Sequence, residues 1–281
     1  MARFKLAIMQ SNLRMDHQAA FRKAAEMGVD GIHLSVNHPA LKPENLDAAG
    51  RKNLLAELKA LNLEVSAISS WGGRVDLGDK NTQEVALSDA YRTLELAVDL
   101  ESGIWQAHIG VVPHDKSQPR WDTFIDSLSK IGRRAEELGA CLAIETGPEP
   151  PALLRELIET VGSPGIKVNY DPANLILWPV ILAERGVMPY DREKAMATFQ
   201  PVEGVNILGP YIVHTHAKDA TVLEGDKRQE VPLGEGLVDW PRYLDLLEKA
   251  GYKGYLAIER EVGPDPVGDI QKAVDFLRSV I

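Results

Sequence analysis

Eight times along this chain a short apolar run breaks into a polar loop, and an amphipathic helix follows. This alternation constrains the fold more than any other feature, because strands separated by helices run parallel. The pattern predicts strands within Phe4–Gln10, Gly31–Val36, Glu64–Ser70, Ile104–Gly110, Cys141–Pro148, Ile166–Asn174, Tyr211–Ala220 and Gly254–Gly263. It predicts helices over Asp16–Met27, Asn45–Leu61, Asn81–Leu100, Trp121–Leu138, Pro151–Val161, Arg192–Phe199, Pro241–Ala250 and Pro266–Val280. Phe124, Leu128, Ile131, Ala135 and Leu138 form one stripe of the fourth helix, which Gly139 stops. Eight such units close a (β/α)8 barrel, and the 281 residues suit a single domain over 1–281. An open doubly wound sheet would carry a glycine-rich turn after its first strand; SNLRMD stands there instead. The rhythm breaks once, over 175–209, where Arg192–Phe199 is the only convincing helix. With Trp178, Tyr190 and the run WPVIL, this inserted segment is expected to cover a pocket or pack against a partner subunit.

Side chains on a strand alternate between faces. In the fifth strand Cys141, Ala143 and Glu145 share one face, and Leu142 and Ile144 the other. The last strand repeats this with Ala257 and Glu259 against Leu256 and Ile258. In the seventh, His214, His216 and Lys218 share a face, and the sixth ends on Asp171. Large residues belong against the helices, so Glu145, Asp171, His216 and Glu259 should point at the barrel axis at its carboxyl end, where barrel active sites lie. One acid at a strand end is commonly just solvated. Three acids meeting with an imidazole would repel one another unless a cation neutralised them, and this donor set suits a hard or borderline divalent cation.

Composition narrows the function. With 44% hydrophobic and 26% charged residues and a net charge of −10, the chain shows no basic stripe for nucleic acid. No apolar run approaches a membrane span, and that of MARFKLAIMQ is too short for a signal sequence. The lone Cys141 excludes an internal disulfide, consistent with a cytoplasmic protein.

The segments LAIETGPEP, VNYDPANLI, YIVHTHAKDA and LGEGLVDWPRYLDLLEKAGYKGYLAIEREVG resemble the sugar phosphate isomerase/epimerase family of xylose isomerase-like TIM barrels. The resemblance implies one divalent metal, most often Mn2+ (Mg2+, Co2+ or Zn2+ being alternatives), held by Glu145, Asp171, His216 and Glu259. It implies further that Glu145 and Glu259 form the acid/base pair. The family also resembles zinc-dependent nucleases, which carry a His three residues after the sixth-strand Asp, as ketose epimerases do. Asn174 occupies that position here, which argues against a zinc cluster and against the epimerases' substrate contact there.

These residues lead to the expectation of a metal-dependent isomerase or epimerase of a small sugar or keto-polyol. Its reaction would proceed by proton abstraction next to a carbonyl and a metal-stabilised enediolate. Loss of a β-hydroxyl from the same intermediate would make it a keto-sugar or keto-inositol dehydratase. A catalytically idle sugar-binding barrel and a nuclease are the remaining readings. Further substrate contacts are expected from His108, Lys218, Trp178 and Glu149, whereas His33 and His38 carry no expectation. The acids Glu224, Asp226, Glu230, Glu235, Glu261 and Asp265 after the last two strands predict an unphosphorylated substrate. A homo-oligomer is left open.

Overall fold

The computed structural model describes residues 3–71 and 75–281. Its strands are β1 (Lys5–Met9), β2 (Gly31–Ser35), β3 (Glu64–Ser69), β4 (Ile104–Ala107), β5 (Cys141–Glu145), β6 (Ile166–Tyr170), β7 (Ile212–Ala217), β8 (Asp219–Leu223), β9 (Lys227–Val231) and β10 (Tyr255–Ile258). Eight of them close a barrel in the order β1-β10-β7-β6-β5-β4-β3-β2, and neighbours run parallel throughout. The expected (β/α)8 barrel is therefore the fold, and its strands end before the expected bounds, at the carboxyl mouth.

The helices are α1 (His17–Glu26), α2 (Ala48–Ala60), α3 (Gln83–Asp99), α4 (Pro119–Leu138), α5 (Pro151–Val161), α6 (Asn174–Glu184), α7 (Arg192–Phe199), α8 (Val205–Leu208), α9 (Trp240–Lys249) and α10 (Pro266–Val280). Local chemistry sets their ends. Asp16, Asp47, Asp239 and Asp265 each accept a backbone N–H as N-caps, and α4 begins on Pro119. Leu142, Ile144, Leu256 and Ile258 are fully buried. No helix among the described residues is long and apolar enough to cross a membrane.

Two regions depart from the sequence reading, 174–209 with the added helices α6 and α8, and 219–231. The segment after Asp171 is not irregular up to Arg192: α6 starts at Asn174 and runs through Pro179. A proline inside a helix removes one backbone hydrogen bond. Here Leu175, Ile176, Leu177, Val180 and Leu182 are all buried, and that packing outweighs the loss. The second departure is the antiparallel hairpin β8–β9, which leaves β7 directly and lies on α6.

Asp219 anchors this hairpin. Its Oδ1 accepts from the N–H groups of Ala220 (2.8 Å) and Val238 (3.2 Å). Its Oδ2 accepts from Gly234 (2.9 Å), Gly236 (3.2 Å) and the Trp240 indole (3.0 Å). A Cβ on Gly236 would stand 2.0 Å from Oδ1, so the LGEG turn admits no larger residue there. Arg260 ties the other strand down by donating to Glu230 at 2.7 Å.

Asp219→Ala is expected to destabilise the protein by roughly 2–4 kcal/mol, because it strands several buried donors at once. Asp219→Asn, which keeps one acceptor, should cost less. Urea denaturation of both variants checks this; equal stability of Asp219→Ala and wild type would refute the anchoring role.

Candidate metal centre

β5, β6, β7 and β10 are neighbours in the barrel. Period two brings Glu145 and His216 inward on their strands, while Asp171 and Glu259 follow directly on β6 and β10. One ligand atom from each of the four residues lies within 4.8 Å of all the others. His216 Nδ1 is the hub, at 3.1 Å from Glu145 Oε1, 3.2 Å from Glu259 Oε2 and 3.4 Å from Asp171 Oδ2. Asp171 and His216 are wholly buried.

The surroundings hold these groups by hydrogen bonds. Glu145 Oε1 accepts from Asn174 Nδ2 at 2.8 Å. Its Oε2 accepts from Gln106 Nε2 and lies 3.2 Å from His108 Nε2. Asp171 Oδ1 accepts the Asn174 N–H at 3.0 Å, and Thr146 clamps the Asp171 backbone at both N–H and C=O. Lys218 donates to Glu259 Oε2 at 2.9 Å and to Glu261 Oε2 at 2.5 Å. The second ring nitrogen of His216 faces His33 Nδ1 at 3.2 Å.

Charge governs the protonation states. Burial pushes Glu259 up, but the charges of His216 and Lys218 outweigh it and hold the carboxyl well below its ordinary value. Burial likewise opposes Glu145, yet His108 and His216 bring it below the usual range. Asp171 rises because burial dominates over its cationic neighbours. For His216, burial is outweighed by Glu259 and Glu145, so its pKa lies well above the ordinary histidine value. His216 Nδ1, facing all three carboxylates, stands where positive charge is needed.

Those residues also fit a divalent cation. The donors are three carboxylates and one imidazole. Asp171 Oδ2 is buried, has no hydrogen-bond partner among the described residues and lies 3.4 Å from His216 Nδ1, a costly arrangement unless a cation completes it.

Above the cluster lies a cavity of about 460 Å3 whose wall includes Glu145, Glu259, His108, Lys218 and Trp178. Of the four expected substrate contacts, the structure therefore brings His108, Lys218 and Trp178 to the wall. Lys218 is buried rather than a surface partner of Asp219. α6 lines the cavity with Asn174, Leu177, Trp178 and Ile181. Gly147 makes room for Trp178, since a Cβ there would stand 2.4 Å from the indole. Glu149 is not on the wall. It is 1% exposed, and neither carboxylate oxygen has a hydrogen-bond partner among the described residues.

Gln106 and Asn174 are site residues that the sequence reading did not assign. Gln106 shares strand parity with His108, a signal already in the sequence. Asn174 had been weighed only as a missing histidine, whereas it binds both Glu145 and Asp171.

A parallel eightfold barrel with a buried acid–histidine cluster at its carboxyl mouth defines the class of protein. The pattern of the xylose isomerase-like TIM barrel family matches residues 21–280, and the chain belongs to that family. L-ribulose-5-phosphate 3-epimerase UlaE of Shigella flexneri is 35% identical over 273 residues, 92% of this chain and 87% of that protein. Inosose dehydratase of Geobacillus thermodenitrificans is 22% identical over 186 residues, 58% of this chain. The chain spans about 55% of the length of that dehydratase and 60% of another curated relative. Among solved structures, a xylose isomerase domain protein from Planctomyces limnophilus superimposes with a TM-score of 0.82 at 24% identity, covering 99% of this chain and 97% of that one.

Burial pushes the Glu149 carboxyl up to about 8, from an ordinary value of 4.5. Its folded pKa lies above its unfolded one. Its contribution to stability is therefore whole below about pH 4.5 and is lost as pH rises through 8. Glu149→Gln, neutral throughout, should match wild type near pH 5 and exceed it on the order of 2–4 kcal/mol near pH 8. Urea denaturation at the two pH values is the check; parallel pH profiles would mean that the carboxyl is solvated.

Proposed function

We propose that this barrel is a divalent metal-dependent isomerase or epimerase acting on a small sugar or keto-polyol. One observation carries the reading. Of the four clustered residues, only Glu145 and Glu259 also face the cavity. They come from the two ends of the arc β5-β6-β7-β10, so a substrate above the cluster lies between two carboxylates.

A bound divalent cation, Mn2+ by preference with Mg2+, Co2+ or Zn2+ as substitutes, supplies the positive charge that polarises a keto oxygen. The chain's own residues handle the proton. Glu145 is surrounded by Gln106, Asn174 and His108, whereas Glu259 lies against the ammonium of Lys218. A carboxylate paired with a fixed ammonium is the poorer base. Glu145 is therefore assigned the removal of the proton next to the carbonyl. Glu259, on the other side, takes up a proton from solvent and delivers it to the opposite face or the adjacent carbon, while the proton held by Glu145 is released to solvent. Trp178 and His108 bound the outer wall.

Lys218 favours a second reading, dehydration of a keto-sugar or keto-inositol. Elimination needs a hydrogen-bond donor at the departing hydroxyl, which Lys218 offers on the wall beside Glu259, and a proton, which Glu259 would have to deliver. An unphosphorylated substrate is part of the proposal, although one relative is named for a sugar phosphate. Barrels commonly grip phosphate with loops after the last two strands. Here the Gly234, Gly236 and Val238 N–H groups are already taken by Asp219.

The first test runs Mn2+-loaded protein on keto-sugars and keto-polyols in D2O. The leading reading expects product labelled at the carbon next to the carbonyl; an unsaturated ketone identifies the lyase. Glu145→Gln and Glu259→Gln should each lower kcat/KM by about 10²–10⁴-fold. No turnover and no label across the panel would sink the proposal. The second test compares matched substrates with and without phosphate. A tenfold or greater preference for phosphate, about 1.4 kcal/mol, would overturn the unphosphorylated assignment and direct attention to Arg185 and Arg228 at the cavity.

A further inference from the structure

We infer that His33 is the positioning residue of this centre: its Nδ1 accepts the Nε2–H of His216 and keeps the His216 Nδ1 turned to the three carboxylates. The inference rests on the metal reading above.

An imidazole that ligates through Nδ1 carries its proton on Nε2, and the partner of that N–H fixes both tautomer and ring orientation. His216 is fully buried, so this N–H requires a protein acceptor. The Nδ1 of His33 lies 3.2 Å away, with ring centroids 5.1 Å apart and planes at 41°. His33 is on β2 and reaches His216 across the barrel, since β1 and β10 lie between β2 and β7. It is wholly buried, and its Nδ1 faces the His216 Nε2.

The same contact serves both states of the site. Protonated His216 directs Nδ1–H to the carboxylates and Nε2–H to His33. When a cation replaces the Nδ1 proton, the Nε2–H bond stays as it was. His214 packs against His33 at 4.8 Å between ring centroids, and its own nitrogens face Asn169 (2.7 Å) and Ser66 (3.2 Å). His214 thus wedges His33 without competing for His216. A neutral acceptor also has an electrostatic merit: a carboxylate in its place would add a fourth negative charge beside three acids.

The test compares wild type with His33→Asn, whose Oδ1 replaces Nδ1 as acceptor, and His33→Leu, which fills space without one. Mn2+ affinity is measured by calorimetry, with thermal melts as folding controls. His33→Leu should weaken Mn2+ binding about 10–100-fold, and His33→Asn should stay within about threefold. Equal affinity of His33→Leu and wild type, or Asn as weak as Leu, overturns the inference. Nitrogen-15 NMR of histidine-labelled, metal-free wild type reads the contact independently of both metal and variants. A hydrogen-bonded Nε2–H on His216 supports the inference, and a ring protonated only on Nδ1 overturns it. Should wild type take up no Mn2+, the metal reading falls, and the NMR result alone decides the positioning role.

Discussion

Three carboxylates and one imidazole converge within 4.8 Å at the barrel mouth, two of the four groups with no exposure to water. Like charges at that separation cannot all remain ionised without positive charge among them. The surrounding structure is arranged around that requirement. Gln106, Asn174 and Lys218 aim N–H donors at the carboxylates. His216 Nδ1 faces all three carboxylates, and a divalent cation held there would supply the positive charge they require. A barrel suits the task because four neighbouring strands end at one level and aim at one axis. An open sheet would spread the same residues along an edge.

The hairpin and α6 extend this arrangement upward. Lys218 stands at the junction of β7 and β8, so its position depends on the turn that Asp219 holds with five donors. Glu230 in β9 accepts from Arg260 and from the N–H of Glu261, which joins the hairpin to the loop behind Glu259. α6 begins three residues after Asp171 and carries Trp178 over Gly147. The walls of the cavity and the ligands at its floor therefore belong to the same short segments of chain. A change in either wall is felt at the cluster.

Period-two alternation made much of this legible in advance. Glu145 and Glu259 could be placed because alanines share their faces and large aliphatics occupy the others, and His216 because His214 and Lys218 share its face. What the sequence hid has physical reasons. KRQEV in β9 is charged and largely exposed, so it lacks the apolar signal of a strand. Pro179 reads as a helix breaker, but burial around most of α6 outweighs its missing donor. His33 lies 183 residues from its partner, on a strand that is not adjacent, and no local pattern reveals such a pairing. Glu149 misled because its motif leads toward the site while its side chain turns into the protein.

The remaining choice, between returning a proton to carbon and expelling a hydroxyl, depends on Lys218. Its ammonium is fixed between Glu259 and Glu261, and those charges, with Asp171, outweigh burial and hold its pKa well above the ordinary lysine value. An ammonium so strongly held is a poor acid, although it remains a good hydrogen-bond donor. It can stabilise negative charge on a substrate oxygen more readily than it can give up a proton. Glu259 is different: once protonated by substrate or solvent, it loses its ion pair with Lys218 and is driven to release that proton again. A carboxylic acid pressed by a neighbouring ammonium suits rapid proton return to carbon, in line with the proposed isomerase or epimerase reading. Elimination would need the substrate to place its β-hydroxyl on Glu259 itself, and the binding pose above the two glutamates then decides the outcome.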